Sequence, residues 1–229
     1  MTYVLPPAAT PSVALIDESG RFPVRRIFCV GRNYADHARE MGMDPTREPP
    51  FFFTKPADAV VPSGSAIPYP PRTRDLHHEI ELVVALGHGG SDIPVAKALD
   101  HVYAYAAGID LTRRDLQAEA RQQGRPWDTA KGFDRSAPVS RLVPAARIGH
   151  PNRGRIELSV NGALKQRGDI ADMIWSVPEI VAELSTLFEL APGDLIFTGT
   201  PAGVGPLLPG DVAEGEIEGV GQISLAILA

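Results

Sequence analysis

A chain of 229 residues is long enough for one large domain and can bury a real hydrophobic core. Its hydrophobic content of 44% and charged content of 22% are those of a globular protein, and a net charge of -6 excludes the basic stripe of a nucleic-acid binder. Cys29 is the only cysteine, which excludes an intramolecular disulfide and a cysteine-rich zinc site. No apolar run approaches the ~20 residues that span a bilayer, so no membrane role is expected. The N-terminus lacks a basic region followed by an apolar stretch, and the expected address is cytoplasmic. Gly and Pro, 22 of each, are scattered as turn punctuation, the pattern of a β-dominated domain with short elements.

Residues 1–24, rich in Pro and Ala, read as an N-terminal arm, and 25–229 as the main domain. Arg26 to Val30 is a short strand stopped by Gly31. Asn33 is placed to cap a helix from Tyr34 to Met41, ended by Gly42 and Pro45. The polar loop that follows is either a lid or a connection. Phe51 to Thr54 reads as a buried strand ended by Lys55-Pro56, and the proline-rich stretch 57–74 as turns and edge pieces. His78 to Leu86 is the clearest strand. Ile93 to Leu99 suggests a short helix and Val102 to Ile109 another strand, ending at Asp110.

Thr112, with Asp115 three residues on, signals a helix running to Gln123 and stopped by Gly124 and Pro126. Asn161-Gly162 between Arg155–Val160 and Ala163–Arg167 is a strong hairpin signal. Val177 to Phe188 carries Ile180, Val181, Leu184 and Leu187 on one helical face. Leu195 to Thr198 and Ile223 to Leu228 are closing strands. Helices and strands do not alternate regularly, so the expected class is α+β with a mixed sheet rather than a doubly wound one.

Glu79 and Glu81 stand at i and i+2 on the predicted strand, which puts both carboxylates on one face. Side by side they repel unless something neutralises them. A divalent cation does so, and Asp110 at the end of the next apolar strand offers a third oxygen. Such an all-oxygen set suits Mg2+, Mn2+ or Ca2+. Taken alone, a Glu-x-Glu pair more often faces solvent, and spacing does not establish a metal.

A series of motifs goes further. Gly31-Arg32-Asn33-Tyr34-Ala35-Asp36-His37-Ala38-Arg39-Glu40, Phe53-Thr54-Lys55-Pro56, Glu79-Ile80-Glu81 and Gly108-Ile109-Asp110 stand in this order. Lys131-Gly132-Phe133-Asp134, Val160-Asn161-Gly162 and Thr198-Gly199-Thr200-Pro201 follow. Together they resemble the fumarylacetoacetate hydrolase superfamily from about residue 25 to the C-terminus. The resemblance implies a mixed β-roll, usually a homodimer, with 25–229 as the catalytic domain. It implies Mg2+ or Mn2+ held by Glu79, Glu81 and Asp110 and chelating a small 2-oxo acid. His37 and Glu40, at i and i+3, would form a general-base dyad. Lys131 would join them in catalysis by placing positive charge near a departing enolate. Arg32, Lys55, Arg113, Gln117, Gly199 and Thr200 are the substrate-binding candidates.

The implied activity is hydrolysis of a carbon–carbon bond in an acylpyruvate, as in fumarylpyruvate cleavage during aromatic (gentisate) catabolism. A decarboxylase or keto–enol isomerase of oxaloacetate-like acids would use the same residues and is the alternative.

Overall fold

The computed structural model describes residues 3–17, 20–36 and 48–229. Its centre is an eight-stranded mixed sheet. The order is Phe51–Lys55, Arg26–Gly31, Asp194–Phe197, Ile80–Leu86, Val102–Ile109, Ala137–Val139 and Val60–Pro62, with Val143–Pro144 also paired to Val102–Ile109. A second sheet of five strands runs Ala163–Asp169, Arg155–Val160, Val212–Ile217, Gly221–Ile227 and Ser65–Ile67. This is the expected α+β class, few helices on curled mixed sheets. Among the described residues no helix is long and apolar enough to cross a membrane.

All seven residues of Ile80–Leu86 are buried, because this strand is covered on both faces. Ile80, Leu82, Val84 and Leu86 point into a cluster shared with Ile156, Leu158, Ile223 and Leu225 of the five-stranded sheet. Val83 and Ala85 point the other way, toward Ile27, Cys29, Leu195 and Phe197. Val13, Phe22 and Val24 of the N-terminal segment close that second cluster. Each such large aliphatic side chain contributes about 1.5–3 kcal/mol by leaving water.

Several expectations differ from the structure in instructive ways. Thr112 does not cap a helix: it lies in the two-residue strand Thr112–Arg113, and its hydroxyl donates to the Asp110 carbonyl. The helix begins at Arg114, and Asp115 instead accepts from Thr73 Oγ1 and the Arg74 N–H, tying the preceding loop down. The helix expected over 93–99 is a 3-10 helix, Val95–His101. The hairpin around Asn161 and Gly162 forms with φ of 51° and 77°, the left-handed pair that a tight two-residue turn needs.

Asn33, expected as a helix cap, ties together other segments, and the helix it was expected to cap lies mostly outside the described residues. Its side chain is buried and donates to the Trp175 and Thr198 carbonyls while accepting from the Trp175 N–H. Three segments distant in sequence meet at this amide.

Replacing Asn33 by Ala removes the partner of one buried and two part-buried backbone groups. The expected loss is about 2–4 kcal/mol of unfolding free energy, read from the urea midpoint.

Candidate metal centre

The antiparallel pairing of Ile80–Leu86 with Val102–Ile109 sets Glu81 opposite Gly108 and Ile80 opposite Ile109. One step further the Asp110 N–H donates to the Glu79 carbonyl at 2.8 Å, so these two acids face each other across the strands. Glu79, Glu81 and Asp110 therefore project on one side of one strand pair. All three are buried, and one oxygen of each lies within 4.8 Å of the others. Gly108 leaves the position beside Glu81 without a side chain. A Cβ there would stand 2.5 Å from Val83 Cγ2.

Three cations answer the three acids. Lys131 Nζ donates to Glu79 Oε2 and Asp110 Oδ2, both at 2.7 Å. Arg114 Nη2 donates to Glu79 Oε1, and Lys55 Nζ lies 2.8 Å from Asp110 Oδ1. Burial pulls the Lys131 ammonium toward neutrality, but Asp110 and Glu79 outweigh it and its pKa is raised. For Glu81 burial comes first and the neighbouring Asp110 and Glu79 charges add to it. Its pKa is raised well above the carboxylate range, although Lys131 and the Gly199 N–H partly oppose this. That N–H reaches Glu81 Oε2 at 2.7 Å.

These residues fit a hard divalent ion. The donors are all oxygens. Asp110 Oδ1 is buried without an aligned hydrogen bond among the described residues, despite the Lys55 ion pair beside it. An oxygen so placed is satisfied by a metal ion.

Among the other expected site residues, Lys131, Gln117, Gly199, Thr200 and Arg32 line a small cavity over Glu79 and Glu81. Gly199 has φ of 98°, and a Cβ on it would lie 2.7 Å from Asn33 Cβ. The Thr200 hydroxyl donates to the Ile80 carbonyl and accepts from Gln166 Nε2. Lys55 sits behind Asp110, held by the Leu111 and Lys131 carbonyls, and lines neither this cavity nor its larger neighbour.

Arg113 does not share a face with Gln117. As the extended residue before the helix, it turns its guanidinium to the Thr129 carbonyl and over the Phe133 ring at 4.3 Å. Arg114, inside the helix and three residues before Gln117, is the arginine that bonds the Gln117 amide oxygen. His37 and Glu40 lie outside the described residues.

Two residues here carried no signal read from the sequence. Gln166, the one buried residue in the first five of Ala163–Asp169, accepts from the Ile80 N–H and contacts His78 Nδ1. Its amide nitrogen donates to Thr200 Oγ1 and the Pro201 carbonyl, fixing strand and turn beneath the acids. Trp127 packs edge-on to Phe51 with ring centroids 5.2 Å apart, forming an aromatic wall.

If the three acids hold Mn2+, the ion at about 100-fold over its Kd raises Tm by about 5–10 °C in calorimetry. The Glu81→Gln variant is expected to show no Mn2+-dependent shift.

The family model for the fumarylacetoacetate (FAA) hydrolase C-terminal region matches residues 26–227. The crystal structure of fumarylpyruvate hydrolase from Pseudomonas aeruginosa in complex with Mn2+ and pyruvate superposes with a TM-score of 0.96 at 54% identity, covering 99% of each chain. A fumarylpyruvate hydrolase from a Ralstonia species is 46% identical over 185 residues, 81% of this chain and 96% of that protein. The mitochondrial oxaloacetate tautomerase of Mus musculus is 47% identical over 196 residues, 86% of this chain and 88% of that protein. With its motifs, its buried acids and these likenesses in agreement, the chain belongs to the fumarylacetoacetate hydrolase family of enzymes.

Proposed function

We propose that this protein hydrolyses a carbon–carbon bond in a 2,4-dioxo acid, with fumarylpyruvate giving fumarate and pyruvate. The observation that carries this reading is a buried three-carboxylate centre, cation-flanked and opening into an aromatic-walled cavity. The likeness to two fumarylpyruvate hydrolases supports the substrate.

Glu79, Glu81 and Asp110 would hold Mg2+ or Mn2+, which when bound supplies Lewis-acid charge and a template for the 2-oxo acid end. Arg114 and Gln117, linked to each other at the rim, offer donors to the substrate carboxylate. Thr200 and Gly199 form the opposite rim. His37 takes a proton from water, and Glu40 orients the imidazole and stabilises its charged form; both roles rest on the sequence motif.

The water oxygen adds to the carbonyl farther from the acid end. The bond from that carbon to the neighbouring CH2 then breaks, its electron pair going to the CH2 carbon. Lys131 places an ammonium beside the oxygen that gains charge. Protonation at carbon yields pyruvate, and the acyl carbon, now bearing the water oxygen, leaves as a carboxylic acid. The same reading makes the enzyme a cytoplasmic homodimer of aromatic (gentisate) catabolism, on the strength of the family resemblance.

Keto–enol tautomerisation or decarboxylation of an oxaloacetate-like acid is the second reading. The 47% identity to a mammalian oxaloacetate tautomerase favours it. Both reactions pass charge onto the same carbon, so the inner residues serve either.

Incubation with fumarylpyruvate and Mn2+ is expected to release fumarate and pyruvate in equal amounts, with EDTA abolishing turnover. CO2 release or tautomerisation of oxaloacetate without any acylpyruvate cleavage would establish the second reading instead.

His37→Ala is expected to lower kcat by about 10²–10⁴-fold with a smaller change in KM. Full turnover by that variant would remove the proposed base.

A further inference from the structure

A cavity of about 510 Å3 adjoins the small one over the acids and shares with it Arg32, Phe51, Phe53, Trp127 and Lys131. Its walls are aromatic. Trp127 meets Phe51 edge-on at 5.2 Å and Phe53 at 5.9 Å, leaving flat apolar surfaces suited to a planar unsaturated chain. Two guanidinium-bearing residues, Arg32 and Arg125, line it.

Arg32 is placed with care by its neighbours. Gly31 has no side chain where the Phe51 ring lies: a Cβ there would stand 2.0 Å from Phe51 Cζ. Arg32 itself has φ of 60°, a left-handed backbone, and its guanidinium lies 5.1 Å from the centre of that same ring. Arg125 follows the helix Arg114–Gln122 through Gly124 at φ of 63°, and its N–H donates to the Ala120 carbonyl at 2.8 Å. Pro126 stiffens the next step.

Among the described residues, no carboxylate lies within ion-pair distance of either arginine. Asp128 is on the cavity wall but pairs with neither. Burial first, and the nearby Arg121 second, lower the Arg32 pKa, with Glu48 opposing.

We propose that this cavity is a second-anion subsite, in which Arg32 and Arg125 receive a carboxylate at the far end of the substrate's acyl arm. The ligand class is an acylpyruvate with a flat, unsaturated, carboxylate-ended arm. A short oxo acid with no such arm has nothing to place between the arginines. The subsite rests on the hydrolase reading for what fills it, and it makes Arg125 a specificity residue rather than a catalytic one.

The test compares fumarylpyruvate with acetylpyruvate, whose arm is neutral, in the wild type, Arg125→Leu and Arg125→Lys, with Mn2+ present. The wild-type preference in kcat/KM for fumarylpyruvate is expected to fall about 10–100-fold in Arg125→Leu, mainly through KM, and to be partly rescued in Arg125→Lys. Titration of fumarate into the Mn2+-loaded protein with pyruvate present gives a second readout, its Kd weakening by a similar factor in Arg125→Leu.

An unchanged preference, or equal losses on both substrates, overturns the subsite. If the wild type cleaves no acylpyruvate, the hydrolase reading fails, and the subsite is then judged on the fumarate Kd alone. An unchanged Kd in Arg125→Leu overturns it.

Discussion

Three carboxylates gathered in a buried space are the constraint around which this molecule is built. Each buried charge costs several kcal/mol to desolvate, and like charges add repulsion. The raised pKa of Glu81 expresses both. Three distant segments supply the compensation. Lys55 ends one edge strand, Arg114 opens the longer of the two site helices, and Lys131 closes a single-turn helix. They meet on Glu79 and Asp110. Remove any one of these cations and the buried acids outnumber the cations beside them.

Backbone braces keep that arrangement in register. Gln166 reaches from the second sheet to bond the Ile80 N–H, Thr200 and the Pro201 carbonyl, so the two sheets are locked at the site itself. Asn33 does the same on the other side, holding the turn after Phe197 to the segment at Trp175. Rigid placement of ligands is what a centre of oxygen donors needs to distinguish a productive geometry from a merely acidic surface.

On the proposed reading, the inner centre and the outer cavity would divide the work. Chelation of an oxo acid and charge build-up beside Lys131 would serve hydrolysis, decarboxylation and tautomerisation alike. Relatives named for hydrolase and for tautomerase activity stand at similar identity to this chain. On the same proposed reading, selection among substrates would fall to the walls beyond the centre, lined by Phe51, Trp127, Arg32 and Arg125.

The acids were legible in the sequence because strand geometry is local. An i, i+2 spacing fixes a shared face wherever the strand lies. The hairpin at Asn161 and the helix over Val177–Leu187 were legible for the same reason, since turn chemistry and a 3.6-residue period need no distant partner. Whether Glu79 and Glu81 faced water or the interior was not a local matter. Burial came from sheets and arm closing over both faces of Ile80–Leu86. Arg113 and Arg114 were likewise indistinguishable by spacing to Gln117. The choice fell to Arg114 because cross-strand pairing of Thr112–Arg113 with Leu76–His78 delays the helix by two residues. Thus the sequence by itself determined which side chains could act together along a strand or helix. The tertiary structure decided which did, because desolvation and ion pairing depend on segments far apart in the chain.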